Sequence, residues 1–121
     1  FEEGLADLEF ARKMAQDGDA YRKQVQYWTP ERVAEECGID ADTVVSLARE
    51  FASSKPAMIR CGIGPQQTVH GEAFVWSLSA LCILAGHDGS PGGGLSLLNL
   101  SDFNLALAGH SDLKQEKTRS L

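Results

Sequence analysis

Residues 56–94 of this 121-residue chain have the sequence PAMIRCGIGPQQTVHGEAFVWSLSALCILAGHDGSPGGG, and the rest of the predicted fold is arranged around them. Its first part, residues 57–61, is short, partly β-branched and bounded by proline and glycine, which is typical of a buried strand. A glycine-containing loop follows, and residues 73–85 then place apolar side chains at helical spacing on a wide face. Gly86 stands where a C-terminal glycine cap belongs. The stretch therefore predicts a strand, a loop, a buried helix and a glycine-rich loop.

The flanking residues add helices and one ambiguous segment. Helical patterns precede the strand at residues 5–16, 20–26, 30–37 and 41–52. Thr29 and Asp40 are good N-caps for the last two of these helices. Residues 95–104 mix apolar and polar side chains without a clean period and fit either an extended segment or a loop. With only one convincing strand, the predicted class is α/β: a mostly helical fragment with one core strand of a parallel sheet completed by segments outside this chain.

Charge and length exclude two classes of partner. The net charge is -6, and neither Lys nor Arg occurs between Cys61 and Leu113. Nucleic-acid binding needs clustered cations to neutralise phosphates, so neither DNA nor RNA is an expected partner. The apolar residues 73–85 are too few to span a bilayer, so this segment is not expected to insert into a membrane. The polar tail, residues 111–121, is expected to be solvated and frayed.

The three cysteines are widely spaced. They are Cys37, Cys61 and Cys82, an odd number without a C-x-x-C pair, which argues against a disulfide framework or a zinc knuckle. Cys61 lies on the predicted strand and Cys82 on the apolar helix, and both are interpreted as small buried hydrophobic residues. Three thiols are one fewer than an iron–sulfur cluster needs.

Three motifs follow one another in a fixed order along the chain. They are YWTPE at residues 27–31, GIGPQQTVHG at residues 62–71 and LAGHDGSPGGG at residues 84–94. This ordered set resembles the large subunits of molybdopterin-dependent oxidoreductases, the dimethyl sulfoxide reductase and formate dehydrogenase superfamily. The resemblance extends over about residues 1–105 and is best over residues 29–94. Because the family's subunits are several times longer, it implies that residues 1–121 are a single fragment of the molybdopterin-binding α/β region of a parent subunit.

The resemblance implies a cofactor contact in the loop after the strand. In the family, these positions contact one of two molybdopterin guanine dinucleotides, and the matching residues here are Gly62, Ile63, Gly64 and Gln67. Glycine lets a backbone approach a planar ligand, and a glutamine amide offers both a donor and an acceptor. Replacing Gly64 by Val is expected to impair cofactor loading, either by occupying the ligand's space or by forbidding the turn. The alternative is a tight turn with Gln67 facing solvent.

The resemblance places the redox chemistry elsewhere in the parent. The family's ligand to molybdenum or tungsten and its iron–sulfur motif come upstream of the matched region, so this chain is expected to contribute neither a catalytic residue nor a metal ligand. Formate dehydrogenases carry an Arg-Gly-Gln run at the positions of Asn99, Leu100 and Ser101, and the missing arginine argues against formate as the substrate. An NAD-binding fingerprint is also disfavoured, because Gln67 stands where the third glycine is required.

Two functional hypotheses follow. In the first, the chain is part of the catalytic subunit of a molybdenum- or tungsten-dependent oxidoreductase; the isolated chain is inactive, and its partner is the remainder of the parent. In the second, it is a non-catalytic helical interaction domain with structural glycine loops. Alone, the fragment is expected to self-associate through its apolar helix. His70 is interpreted as a capping or surface residue, and His87 as a turn residue.

Overall fold

The computed structural model describes residues 1–15 and 18–98 of the chain. These residues form α1 (Leu8–Met14), α2 (Gly18–Val25), α3 (Pro30–Cys37), α4 (Ala41–Ser53), β1 (Met58–Cys61), a 3-10 turn (Pro65–Gln67), α5 (Gly71–Leu84) and β2 (Gly94–Leu97). The predicted α/β class is confirmed, and so are the four helical segments before the strand. The predicted tail at residues 111–121 lies outside the described residues.

The two strands form a parallel pair. Met58 lies opposite Gly94 and Cys61 opposite Leu97, and the ladder begins where the Gly94 amide donates to the Ala57 carbonyl over 3.1 Å. Helix α5 connects the strands and packs against both of them, which makes a βαβ unit. The count of one strand was therefore wrong, because β2 occupies part of the segment interpreted as either extended or loop. Two strands remain too few for an independently stable sheet, so completion from outside the chain stays a prediction.

The helix boundaries follow from their caps. The Thr29 hydroxyl accepts from the Arg32 amide at 3.3 Å, and the Asp40 carboxylate accepts from the Thr43 amide at 3.3 Å. Both predicted N-caps are confirmed. Helix α1 begins later than predicted, because the Asp7 carboxylate accepts from the Phe10 amide at 2.9 Å and so caps the helix there.

The turn after α5 is held by backbone and side-chain bonds. Gly86 has a φ of 69°, its amide donates to the Ile83 carbonyl over 3.0 Å, and the His87 amide donates to the Cys82 carbonyl over 2.9 Å. This is the Schellman arrangement, which confirms the predicted glycine cap. His87 lies in the turn as predicted, but its side chain is also fully buried. Its Nε2 donates to the Phe51 carbonyl at 2.8 Å, which fastens the turn to α4.

The N-terminal residues connect α4 and α5. The Arg49 guanidinium donates two hydrogen bonds to the Glu3 carboxylate, at 2.8 and 2.7 Å. Further along, the Asp7 amide donates to the Leu84 carbonyl over 2.7 Å, at the end of α5. Residues 1–7 therefore hold the C-terminal end of α5 and the last turns of α4 in one arrangement.

The buried core is small and centred on α5. Cys61 and Cys82 are buried, as interpreted from the sequence, whereas Cys37 is exposed. Helix α5 turns its other faces outward, with Trp76 62% exposed and Leu81 42% exposed. The described residues thus cover this apolar helix on one side only. None of their helices has both the length and the apolar character needed to cross a membrane.

Candidate functional site

The loop between β1 and α5 lies at the carboxyl end of the parallel pair. In open α/β sheets, ligands bind in the crevice outside the carboxyl ends of the strands. The predicted residues Gly62, Gly64 and Gln67 are exposed on this loop, and Ile63 is half-buried. The structure therefore brings all four predicted positions together on one short surface segment.

Local hydrogen bonds give the loop its shape. The Gln66 amide donates to the Ile63 carbonyl and the Gln67 amide donates to the Gly64 carbonyl, both over 3.1 Å, which forms the 3-10 turn. The Gln66 side-chain amide donates to the Gly62 carbonyl over 3.0 Å and closes the same turn from the side. Gln66 is therefore occupied by the loop itself, while the neighbouring Gln67 side chain is exposed to the space beside it.

The backbone conformation at the two predicted glycines, Gly62 and Gly64, does not require glycine. Gly64 has φ −53° and ψ −55°, which any residue adopts, and Gly62 does not lie in the left-handed region either. A Cβ atom added at either position would meet no atom within 4 Å. The expectation that a larger residue at Gly64 would forbid the turn is therefore wrong. What remains is an open backbone surface that a planar group can approach closely.

A third glycine of the motif has the opposite role. Gly71 is buried at the start of α5, and a Cβ atom there would overlap the carbonyl oxygen of Gln66. Gly71 thus lets the 3-10 turn pack directly on the helix start. Its place immediately before a long apolar run was a usable signal for such a close approach. Gln66 carried no signal that separated it from Gln67.

The second glycine loop, residues 86–94, is built for its own conformation. Gly89, Gly92 and Gly94 have φ values of 73°, 80° and 93°, which favour glycine strongly. A Cβ atom at Gly93 would come within 2.5 Å of the His87 carbonyl oxygen. Backbone conformation and close packing therefore account for the glycines of this loop without a ligand, in contrast to those of the loop after β1.

The charges around the site are few. Residues 61–98 contain two carboxylates, Glu72 and Asp88, and neither Lys nor Arg. Burial raises the pKa of the Cys82 thiol, and the negative charge of Asp88 raises it further. Among residues 1–15 and 18–98, no three His, Cys, Asp or Glu side chains come together as a metal site.

His70 stands at the entrance of α5. It occupies the N-cap position and is exposed, but its side chain makes no capping hydrogen bond. The surface interpretation of His70 is therefore confirmed, and the capping one is wrong. The dipole of α5 leaves positive partial charge at this end of the helix, next to the exposed loop.

Comparison with known proteins finds relatives that are much longer than this chain. The chain matches no family model. It is 36% identical over 95 residues to formate dehydrogenase H of Escherichia coli, covering 78% of this chain and 13% of that protein. It is 45% identical over 65 residues to the dimethyl sulfoxide reductase of E. coli, covering 54% of this chain and 8% of that protein. The alpha subunit of perchlorate reductase from Dechloromonas aromatica is 40% identical over 68 residues, or 56% of this chain and 7% of that subunit.

The chain is related to a segment of the large subunits of molybdopterin-dependent oxidoreductases. The resemblance stated from its motifs is thereby confirmed. The chain spans only 7–13% of the length of these three relatives. Their names carry three different substrates, so the similarity selects none of them. Asn99, Leu100 and Ser101, on which the argument against formate rests, lie outside the described residues.

Proposed function

We propose that this chain is part of the catalytic subunit of a molybdenum- or tungsten-dependent oxidoreductase. In this proposal Gly62, Ile63, Gly64 and Gln67 contact a molybdopterin guanine dinucleotide. One observation supports the contact above all others: Gly62 and Gly64 border open space, and their own backbone does not need glycine. A ligand that lies against the backbone supplies a reason for their missing side chains.

Each of these residues has a distinct task. The cofactor, when bound, carries the electrons to or from a small substrate. The exposed backbone of Gly62 and Gly64 would contact the ligand, since neither residue has a side chain to hold it away. The Gln67 amide would donate hydrogen bonds to polar groups of the ligand and accept hydrogen bonds from them. Gln66 keeps the loop in this shape through its bond to the Gly62 carbonyl. The metal ligand and any iron–sulfur cluster belong to other parts of the parent subunit.

The rival hypothesis of a non-catalytic interaction domain accounts for part of the molecule. It explains the second glycine loop, residues 86–94, whose glycines are required by their backbone. It also fits the exposed apolar side chains of α5. It leaves the open glycines after β1 unexplained, and the relatives are oxidoreductases.

Cofactor loading of the parent subunit tests the proposal. Gly64→Ala should lower both the molybdenum or tungsten content and the pterin content of the subunit. Gly64→Val should lower both further, because each added carbon enters the ligand's space. Metal is measured by mass spectrometry and pterin by the fluorescence of its oxidised form. Ser46→Val is the control, since it also introduces valine at an exposed position, on α4. Full loading of Gly64→Val would reject the proposed contact.

A further inference from the structure

Helices α1, α2 and α5 surround a groove that the proposed cofactor contact does not use. Its volume is about 770 Å³, within the range of about 300–1,000 Å³ that is usual for ligand-sized pockets. The lining is mainly apolar and includes Phe1, Leu8, Ala11, Tyr21, Trp76 and Ile83. Its charged lining residues are Arg12 on α1 and Asp19 and Arg22 on α2, whereas the lining residues of α5 carry no charge.

The α5 side of the groove has the composition of a buried surface. Trp76 and Tyr21 form an edge-to-face pair with 5.7 Å between the ring centroids, yet 62% of Trp76 remains exposed. Leu8, on the facing helix α1, is 41% exposed. A helix face that meets water normally carries polar side chains. Contiguous exposed apolar surface of this kind marks an interaction site.

Some of the residues that line the groove are small enough for another piece of polypeptide to approach closely. Ala11 on α1 and Ser79 and Ala80 on α5 are small, so a backbone can come close to both helices. Helices in contact lie about 8–10 Å apart, and small side chains favour the shorter distances. The large side chains Trp76 and Tyr21 also line the groove, where they can contact an apolar side chain that enters.

We propose that this groove holds an apolar segment of the same parent polypeptide, from outside residues 1–121. The inference rests on the proposed function, which makes the chain a segment of a large subunit. The chain spans 7–13% of the length of its relatives, so most of such a polypeptide lies outside it. A covalently linked segment acts at an effective concentration on the order of millimolar, far above that of a separate partner.

A second copy of the chain is a poorer occupant. Two grooves facing each other across a twofold axis would both stay empty, because one concave surface does not fill another. A head-to-tail contact would place the exposed ridge of Phe74 and Leu81 into the groove of the next copy. Such a contact does not close on itself and leads to open chains of molecules. A segment of the same polypeptide fills the groove once and ends the association.

Photo-crosslinking in the complete large subunit tests this inference. Trp76 is replaced by p-benzoylphenylalanine, an aromatic residue of similar bulk that forms covalent bonds with neighbouring C–H groups under light. The same replacement at Lys13 is the control, because its side chain is 69% exposed on α1 and pairs with Glu9. Products at position 76 should exceed those at position 13 several-fold, because only position 76 faces the groove. Mass spectrometry should place the bond in a peptide of the same molecule outside residues 1–121.

The other outcomes overturn the inference. A bond between two copies, recognised by mixing isotopically light and heavy protein, would make the groove an interface between molecules. Products confined to residues 1–121, or equal yields at positions 76 and 13, would show that the groove meets solvent. Pterin content measured on the same samples keeps the two proposals apart. A crosslink to a segment outside residues 1–121 in protein that lacks pterin rejects only the proposed function. Bound pterin without that crosslink rejects only the proposed occupant of the groove.

Discussion

Replacing Gly71 by Ala should destabilise the protein, whereas the same change at Gly64 should not. The two glycines belong to one motif and lie seven positions apart. At Gly71 the new Cβ atom would overlap the Gln66 carbonyl oxygen, a backbone atom that no side-chain rotation moves away. At Gly64 it would meet nothing within 4 Å, and the φ of −53° suits alanine. The pair therefore separates close packing from open space within one loop.

The two effects have opposite signs. Extra carbon in a tightly packed position costs about 1–3 kcal/mol. Alanine recovers about 0.4–1 kcal/mol by restricting the unfolded chain. Because the added carbon at Gly71 overlaps a backbone atom, its cost is at the upper end of that range, about 2–3 kcal/mol, and alanine at this helix start recovers about 1 kcal/mol. Gly71→Ala should therefore lose about 1–2 kcal/mol net, and Gly64→Ala should gain up to about 1 kcal/mol. At about 4–8 °C per kcal/mol for a domain of this size, the melting temperature falls by about 5–15 °C in the first variant and rises by a few degrees in the second.

Thermal unfolding followed by circular dichroism, at one fixed protein concentration, measures both variants. If the melting temperature of Gly71→Ala were at or above that of the unsubstituted chain, the 3-10 turn would have moved at no cost to make room for the Cβ atom. That result would refute the packing argument. A Gly64→Ala variant destabilised by more than about 1 kcal/mol would refute the claim of open space, since loss of that size requires a contact or strain.

Three further outcomes are expected. His87→Ala should cost about 3–5 kcal/mol in urea unfolding, because it empties a buried ring site and leaves the Phe51 carbonyl without its donor; a loss below about 1 kcal/mol would contradict this. The hydrogen bond from Arg49 lowers the pKa of Glu3, so its contribution exists above the unfolded pKa and disappears as the pH falls through the folded one. Glu3→Gln should therefore lower the melting temperature slightly at neutral pH but not in strong acid, and a difference that persists in acid would argue against the ion pair. The isolated 121-residue chain should self-associate in sedimentation experiments through its exposed apolar surface, and a stable monomer at micromolar concentration would show that its core is more complete than the structure indicates.

Features encoded by neighbouring residues were predictable from the sequence. The caps at Thr29, Asp40 and Gly86 each depend on bonds within five positions, so local pattern located them. Strand β2 was not predictable in the same way. It has four residues beginning with glycine, and its partner Met58 lies 36 positions before Gly94. A short parallel pairing across a helix leaves little local trace in the sequence.

The position of the four predicted residues on a loop after the strand was predictable from the sequence, but the packing around each glycine was not. The family motifs led to Gly62, Gly64 and Gln67, and the structure puts these residues on one exposed loop. The motif alone treats Gly64 and Gly71 alike. Only tertiary packing shows that one borders open space and the other touches a backbone carbonyl. The burial of the His87 side chain likewise depends on α4, which arrives from a distant part of the sequence.

The open glycines still require an explanation, because glycine carries an entropic cost of about 0.5–1 kcal/mol in ordered structure. Neither a left-handed backbone nor a close contact in the described residues accounts for Gly62 and Gly64. The compensating contact is then either a ligand or another segment of the parent. Valine at Gly64 distinguishes them in the complete subunit. If a ligand covers Gly64, the Val variant loses cofactor loading while the stability of the cofactor-free protein does not fall. If another segment of the parent packs against Gly64, the Val variant destabilises the cofactor-free protein itself, by roughly 1–3 kcal/mol for an overpacked contact. Loss of loading at constant cofactor-free stability is therefore the result that assigns this loop to cofactor binding.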